Sequence, residues 1–227
     1  MGNEAEPGSS PDAASDIENI MSMRNLSLYN ENQFSKKTSC TKQPRPMVYA
    51  TELTDCLGLD CEFVGTGKTG KEHMLARVSI VNDRGEVVLD SYVKPQKAVT
   101  DFRTEISGIR PELMDSGQDF ASVRETVRVL IQGRILVGHA LKNDMLVLNL
   151  RHPRRMTRDT SRYKPIARRI RALGTPSLKS LAKLILGEEI QNGVHDSVQD
   201  ATATMKIYLI FRDEWEKSMK KTKRIRR

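Results

Sequence analysis

Leu57-Gly58-Leu59-Asp60-Cys61-Glu62-Phe63-Val64 is a short apolar run broken by two carboxylates. Its length, its composition and the glycines that follow at Gly65 and Gly67 predict a β strand. Side chains alternate across a strand, so Asp60 and Glu62, two positions apart, point to one face. Acids are seldom buried without compensation, so the pair does not suit a purely structural strand. Outward from this run, MLARVSIVND (74–83) and EVVLDSYVK (86–94) are also rich in Val, Ile and Leu and are separated by glycine-containing turns. The three predict an antiparallel meander. In the second run Ala76, Val78 and Ile80 share one face and Arg77 and Ser79 the other, the period of a half-buried strand, and NDRGE (82–86) is the hairpin turn.

Downstream the period changes to that of helices. Phe120, Val123, Val127, Leu130 and Ile131 recur at helical spacing, with Gly133 as a stop signal. RILVGH (134–139) reads as a short buried strand, LKNDMLVLNL (141–150) as a helix ended by the proline of RHP, and MTRDT (156–160) as another brief strand. SLKSLAKLILG (177–187) predicts a helix with Gly187 beyond its end. From about Asp196 to Lys217, Ala201, Thr204, Tyr208, Phe211 and Trp215 form one stripe of a long terminal helix. The fold class is α/β, a mixed sheet with three antiparallel strands and flanking helices.

Two further acids share the anomaly of Asp60 and Glu62. Asp144 lies among apolar residues on the helix 141–150, and Asp200 stands near the start of the terminal helix between Val198 and Ala201. Each has a bland reading alone: Asp60 paired with a buried arginine, Asp144 in a helix-edge ion pair, Asp200 as a first-turn acid favoured by the helix dipole. Together they read as a set. Ionised carboxylates facing one space repel, and a divalent cation removes the conflict. All-oxygen ligands without cysteine favour Mg²⁺ or Mn²⁺ over structural zinc. His195, five residues before Asp200 in GVHDSVQDA, sits where a loop enters the terminal helix, a place from which an imidazole reaches a substrate water. Asp196 beside it reads as an N-cap.

GTGKTG (65–70) matches G-x-G-x-x-G and contains Gly-Lys-Thr, but context rejects a nucleotide-binding loop. Glu62 stands where a Walker A motif needs its first glycine, and an alternating strand follows where both motifs need a helix. The segment predicts a flexible hairpin connection from which Lys68 and Lys71 can touch a phosphate backbone. A P-loop NTPase is thereby the weakest reading of this chain.

The 227 residues carry 37 Lys and Arg against 29 Asp and Glu, a net charge of +8. That balance suits a polyanion, nucleic acid before an anionic membrane surface. No stretch approaches the roughly 18 apolar residues of a membrane span, so no membrane partner is expected. The positive charge is concentrated. Arg151–Arg171 holds nine Lys and Arg against Asp159 alone, and Lys217–Arg227 holds seven with no acid, leaving the remainder net acidic. The first run, which includes Tyr163, is expected to line the path of a phosphate backbone. The second is expected to be a mobile basic tail that grips nucleic acid or serves as a nuclear import signal. Cys40, Cys56 and Cys61 show no CxxC spacing, so neither a disulfide framework nor a disulfide-linked partner is expected, and the compartment reads as reducing. MGNEAEPGSS has no secretory features, and Glu6 replaces the Ser or Thr of a myristoylation motif. Residues 1–50, rich in Ser, Asn, Glu and Pro, read as a disordered tail and linker, with DIENIMSMRNLSLY at most a transient helix. The domain expectation is 1–50 tail, 51–216 catalytic domain and 217–227 basic end.

LDCEFVG, GHALKND and HDSVQDA, in this order, resemble the three motifs of the DEDDh 3′→5′ exonucleases, which have a ribonuclease H-like fold. The likeness spans about Leu57 to Trp215. LARVSIVN, YVKP, VTDFRTEISGIRPE, GRILVGHAL and RDTSRYKP further resemble a eukaryotic, RNA-directed branch of that family. Phe63 departs from the methionine common after the motif glutamate, with size and polarity preserved. The resemblance implies that Asp60, Glu62, Asp144 and Asp200 hold two metal ions, Mg²⁺ or Mn²⁺, and that His195 is the general base. It implies that Phe63 packs against the terminal base and that Asn143 contacts the terminal nucleotide. It further implies 5′-nucleoside monophosphates cut from the 3′ end of single-stranded RNA, in ribosomal RNA processing in the nucleus, with the nucleolus as the site, by a monomer. Nothing in the motifs reads a 2′-hydroxyl, so DNA or mixed specificity stays open. A catalytically silent nucleic-acid-binding module of the same fold is the alternative from another class.

Overall fold

The structure is a computed structural model that describes residues 47–48 and 51–225, with side chains from 51 to 220. Almost all of the expected N-terminal tail, including DIENIMSMRNLSLY and Cys40, lies outside the described residues. Among the latter, seven strands form one mixed sheet: β1 (Met47–Val48), β2 (Cys56–Thr66), β3 (Glu72–Val81), β4 (Val87–Tyr92), β5 (Val99–Asp101), β6 (Ile135–Gly138) and β7 (Thr157–Asp159). The order is β1-β4-β3-β2-β6-β7, with β5 pairing the far end of β2. β2, β3 and β4 are the expected meander, and β6 and β7 add in parallel. The β3–β4 hairpin closes where expected: the Asn82 N–H donates to the Glu86 carbonyl at 2.9 Å and Gly85 takes φ 79°. GTGKTG is the end of β2 and its turn into β3, with Gly67 and Gly70 at φ 75° and 66°.

Side-chain parity along β2 divides the core. Leu57, Leu59 and Cys61 pack with Val123, Val127, Leu130 and Ile131 of α3 (Phe120–Ile131), which Asp119 caps by accepting from the Ser122 N–H at 2.9 Å. Cys56 belongs instead to the cluster under the terminal helix α7 (Ser197–Ile225), with Ala201, Met205, Tyr208 and Trp215. Gly58 permits this packing, because a Cβ there would stand 2.9 Å from the Ala201 carbonyl and 3.0 Å from Val81 Cγ2. Asp60 and Glu62 continue the same parity, so they face the start of α7. The polar face of β3 is therefore a covered wall, not the solvent face expected of a half-buried strand: Ser79 is fully buried, and its hydroxyl lies 2.6 Å from that of Ser197.

Smaller elements complete the frame: α1 (Thr104–Ser107), α2 (Pro111–Asp115), α4 (Lys142–Val147), α5 (Lys164–Arg169) and α6 (Leu178–Leu181), the last continuing into a π-helical turn over Ala182–Leu186. Gly187 ends that turn at φ 71°, as its position predicts. α4 is shorter than the expected 141–150, because Asn149 enters the left-handed region at φ 49° before the proline is reached. α7 is longer than expected. It stays helical to Ile225, so the boundary at residue 217 falls inside a helix and residues 217–225 are not a loose tail. Buried Trp215 and partly buried Met219 keep the apolar stripe running past Lys217. No helix among the described residues is long and apolar enough to cross a membrane.

Candidate active site

β6 pairs with β2 only from Cys56 to Gly58, and β5 takes over at Gly65. Between them the β6-side edge of β2 has no strand partner among the described residues, and a cleft of about 310 Å³ opens there. Asp60, Glu62, Phe63, His195 and Asp200 line it. β2 supplies Asp60 and Glu62, opposite Ser79 and Arg77 in register, and a bulge after Glu62 reorients the strand towards Phe63. Asp200 comes from the first turn of α7, and His195 from the loop just before it. The His195 N–H donates to the Ile106 carbonyl at 2.7 Å, which ties that loop to α1.

Asp144, on α4, is almost fully buried and does not line the cleft, although its charge is near enough to raise the Asp60 carboxyl. The Cys61 thiol hydrogen-bonds its carboxylate from the α3 side of β2. Asn143, next to it, is exposed and does not line the cleft. Phe63 does, partly exposed, with its ring edge-on to His73 at 5.8 Å between centroids.

The electrostatics of the acids betray their crowding. Burial, then the charges of Asp144, Asp200 and Glu62, raise the Asp60 carboxyl well above the ordinary range. Burial, with Asp200 nearby, pushes Glu62 up to about 8, against the pull of Arg77. Burial takes Asp144 to about 7, opposed by its hydrogen bond with Cys61. Asp200 is raised chiefly by burial, while Gln191 and His195 lower it.

Arg77 does not neutralise this cluster as a buried partner of Asp60 would. Its Nε and one terminal nitrogen donate to Asp90 at 2.7 and 2.8 Å, and the other terminal nitrogen donates to Asp196 at 3.0 Å. Asp196 also accepts from the Val198 N–H at 3.1 Å, the N-cap geometry expected of it. Arg77 and the Ser79–Ser197 contact thus pin the start of α7 to the sheet.

Several cleft residues are absent from the sequence-based set: Arg103, Ile106, Ser107, His139, Leu178 and Gln191. Arg103 sits at φ 50° and donates to the Gly70 carbonyl at 2.9 Å, bracing the β2–β3 turn. His139 Nδ1 lies 2.9 Å from the Thr160 hydroxyl. Gln191, at φ 56°, donates its side-chain amide to Asp200 Oδ2 at 2.7 Å, while the His195 ring stands 4.0 Å from the same oxygen. An αL non-glycine residue at a cleft is the kind of strain that marks function, but single-sequence periodicity carries no sign of it.

The family model described as Exonuclease (RNase T) matches residues 57–208. The chain belongs to this exonuclease family. RNA exonuclease 4 of Mus musculus is 51% identical over 166 residues, covering 73% of this chain and 38% of that protein. RNA exonuclease 4 of Saccharomyces cerevisiae is 48% identical over 172 residues, covering 75% of this chain and 59% of that protein. The chain thus spans about two fifths of the mouse relative and under two thirds of the yeast one. Among solved structures, the Saccharomyces cerevisiae Pan2 pseudoubiquitin hydrolase-RNA exonuclease module in complex with A7 RNA is 30% identical with a TM-score of 0.59, covering 74% of this chain and 31% of that one. The Neurospora crassa Pan2 catalytic unit has a TM-score of 0.60 at 27% identity, covering 79% of this chain and 29% of that one. The fold is accordingly the ribonuclease H-like fold of these exonucleases.

The donor set fits a hard divalent cation in its chemistry. The acids raise one another's pKa, and Asp200 Oδ1 is a buried carboxylate oxygen with no hydrogen-bond partner, a group whose burial is costly unless a cation or donor meets it. The side chains are not already closed around a centre: among the described residues no three His, Cys, Asp or Glu side chains stand together as a ready metal cage.

Proposed function

We propose that this chain is a metal-dependent 3′→5′ exoribonuclease that hydrolyses single-stranded RNA from its 3′ end and releases 5′-nucleoside monophosphates. The observation that carries the reading is the cleft at the open edge of β2, lined by Asp60, Glu62, Asp200 and His195, with buried Asp144 near enough to raise the Asp60 carboxyl. Asp60, Glu62, Asp144 and Asp200 would hold two Mg²⁺ or Mn²⁺ ions, whose chemistry is to clamp the attacking and leaving oxygens of an in-line displacement. His195, anchored through its backbone to α1, takes the proton of the attacking water, a role typically worth about 10²–10⁴ in rate. Phe63 and the exposed Ile106, both lining the cleft, offer apolar surface to the terminal base. The exposed Asn143 reaches the terminal nucleotide only from outside the cleft. The relatives' names support RNA as substrate, and ribosomal RNA processing in the nucleus, with the nucleolus as site of work, extends the same reading for a monomeric protein.

The test is hydrolysis of matched RNA and DNA strands carrying a 3′ or a 5′ label. Immediate release of labelled mononucleotide from the 3′-labelled RNA, a shortening ladder from the 5′-labelled one, and loss of both in EDTA are expected. Activity undiminished in EDTA, or retained in Asp144→Ala and His195→Ala proteins, would refute the mechanism. Equal rates on DNA would replace RNA specificity with mixed specificity. Tight binding without turnover in any metal would leave only a silent binding module.

A further inference from the structure

The first basic segment, 151–171, packs against α7 immediately before the second begins at Lys217. Trp215 of α7 stacks on Tyr163 at the start of α5, with ring centroids 3.9 Å apart and planes at 4°. One residue on, Glu216 receives Arg158 of β7 at 2.6 and 2.7 Å. Arg158 is the single buried cation of the run 151–171, and the other eight Lys and Arg are exposed. Among the described residues none of these eight makes an ion pair. On α7, Lys217 and Lys220 are exposed, as are the acids Asp213 and Glu214. The basic face of 151–171 covers the outer side of edge strand β7 and α5. It begins one loop from the cleft, where Thr160 holds His139, and reaches Arg154 and Arg155 at the opposite end of β7, roughly 10 Å away by strand rise.

We infer that this face binds the phosphate backbones of double-helical RNA, next to a cleft that takes the single-stranded 3′ end. The inference rests on the exonuclease reading above and adds a second, folded part of the substrate. The decisive observation is what the aromatic rings do. Surfaces that track single strands combine cations with exposed rings on which bases stack. Here the two rings stack on each other: Trp215 is 5% exposed and Tyr163, only partly exposed, has one face covered, so the ring surface left for a base is small beside the eight exposed cations. What remains is an array of unpaired guanidinium and ammonium groups, which suits shape- and phosphate-based recognition of an A-form helix.

The experiment compares, in EDTA to prevent cleavage, the binding of an RNA hairpin bearing a six-nucleotide 3′ overhang with that of the overhang alone. The proteins are the full chain and the variant Arg154→Glu/Arg155→Glu/Arg168→Glu. Wild type is expected to bind the hairpin at least tenfold more tightly. The variant should lose that advantage, and its log affinity against log salt should flatten by about two to three, one for each phosphate contact removed. Its affinity for the free overhang and its metal-dependent hydrolysis of a trinucleotide should stay within about threefold. The corresponding glutamine variant, with less perturbation of fold, should show a smaller loss in the same direction. Equal wild-type affinity for hairpin and overhang would overturn the inference. So would an unchanged affinity in the variant, leaving the cations as guards of an exposed edge strand, or equally tight wild-type binding to phosphatidylserine vesicles. Absence of RNA hydrolysis by wild type in every metal would instead sink the exonuclease reading, with hairpin binding scored separately.

Discussion

At the residue scale, the site works against the stability of its own fold. Glu62 is 7% exposed and surrounded by like charge, and its carboxyl sits at about 8. Glu62→Gln removes the ionisable group at nearly constant shape. It should stabilise the metal-free protein at pH 8 by on the order of 1–2 kcal/mol while lowering turnover at least a hundredfold. Melting curves in EDTA and turnover with Mg²⁺ check the two effects, and a destabilised variant would contradict the account. Gln191 acts through Asp200: its amide occupies Oδ2 and leaves Oδ1 buried and unpartnered. Groups that orient a metal-binding side chain typically affect metal affinity about 10–100-fold. Gln191→Ala is therefore expected to raise the Mn²⁺ concentration for half-saturation by about tenfold, read by binding calorimetry in the absence of RNA. An unchanged affinity would reduce Gln191 to a cleft-wall residue.

At the element scale, the position of α7 decides whether the acids meet. α7 lies across β2, β3 and β6 and comes close to the sheet at Gly58. A Cβ there meets backbone at 2.9 Å and cannot be accommodated by rotating a side chain. Gly58→Val should cost roughly 1–3 kcal/mol as overpacking and shift Asp200 relative to Asp60. Activity is then expected to fall more steeply than stability at a temperature where the variant remains folded. Gly174→Ala, where an added methyl meets nothing within 4 Å, is the control and should stay within about 0.5 kcal/mol. If both substitutions behave alike in chemical denaturation, helix-on-sheet contact at Gly58 does not set the site.

At the scale of the whole molecule, the raised carboxyls make stability depend on pH in an unusual direction. Asp and Glu are ionised above about 4 in the unfolded chain, but the folded protein keeps protons on Asp144 to about 7 and on Glu62 to about 8. The native state therefore binds more protons than the unfolded state in that window, and stability falls as pH rises. In EDTA the melting temperature is expected to decline between about pH 5 and 8 and to level off above it. Saturating Mg²⁺ or Mn²⁺ should flatten the decline, with the largest gain at high pH, because cation binding stabilises the ionised acids. A melting temperature that climbs through this range without metal would show that the acids do not face one another as described.

The run Leu57–Val64 determined much of this protein before any coordinates. Period two placed Asp60 and Glu62 on one face, and helical spacing located Asp144 and Asp200 on elements that must pack somewhere. The meander, α3 and the terminal helix were legible because each has a long, regular apolar pattern. β5, α1 and α2 were not, since elements of three to five residues are held by contacts with distant chain and carry little pattern of their own. Arg103 and Ile106 were missed for that reason, and Gln191 because it stands in an irregular loop before α7, which has no periodicity. The hydrophobic pattern says which side of each element is buried, but not which buried sides are shared. Tertiary structure alone brought α7 onto the even-numbered face of β2, stacked Tyr163 on Trp215 and set the basic run 151–171 against α7. Those outcomes depend on close approach between residues remote in sequence, where a missing Cβ at Gly58 or a single ring-on-ring contact decides the geometry.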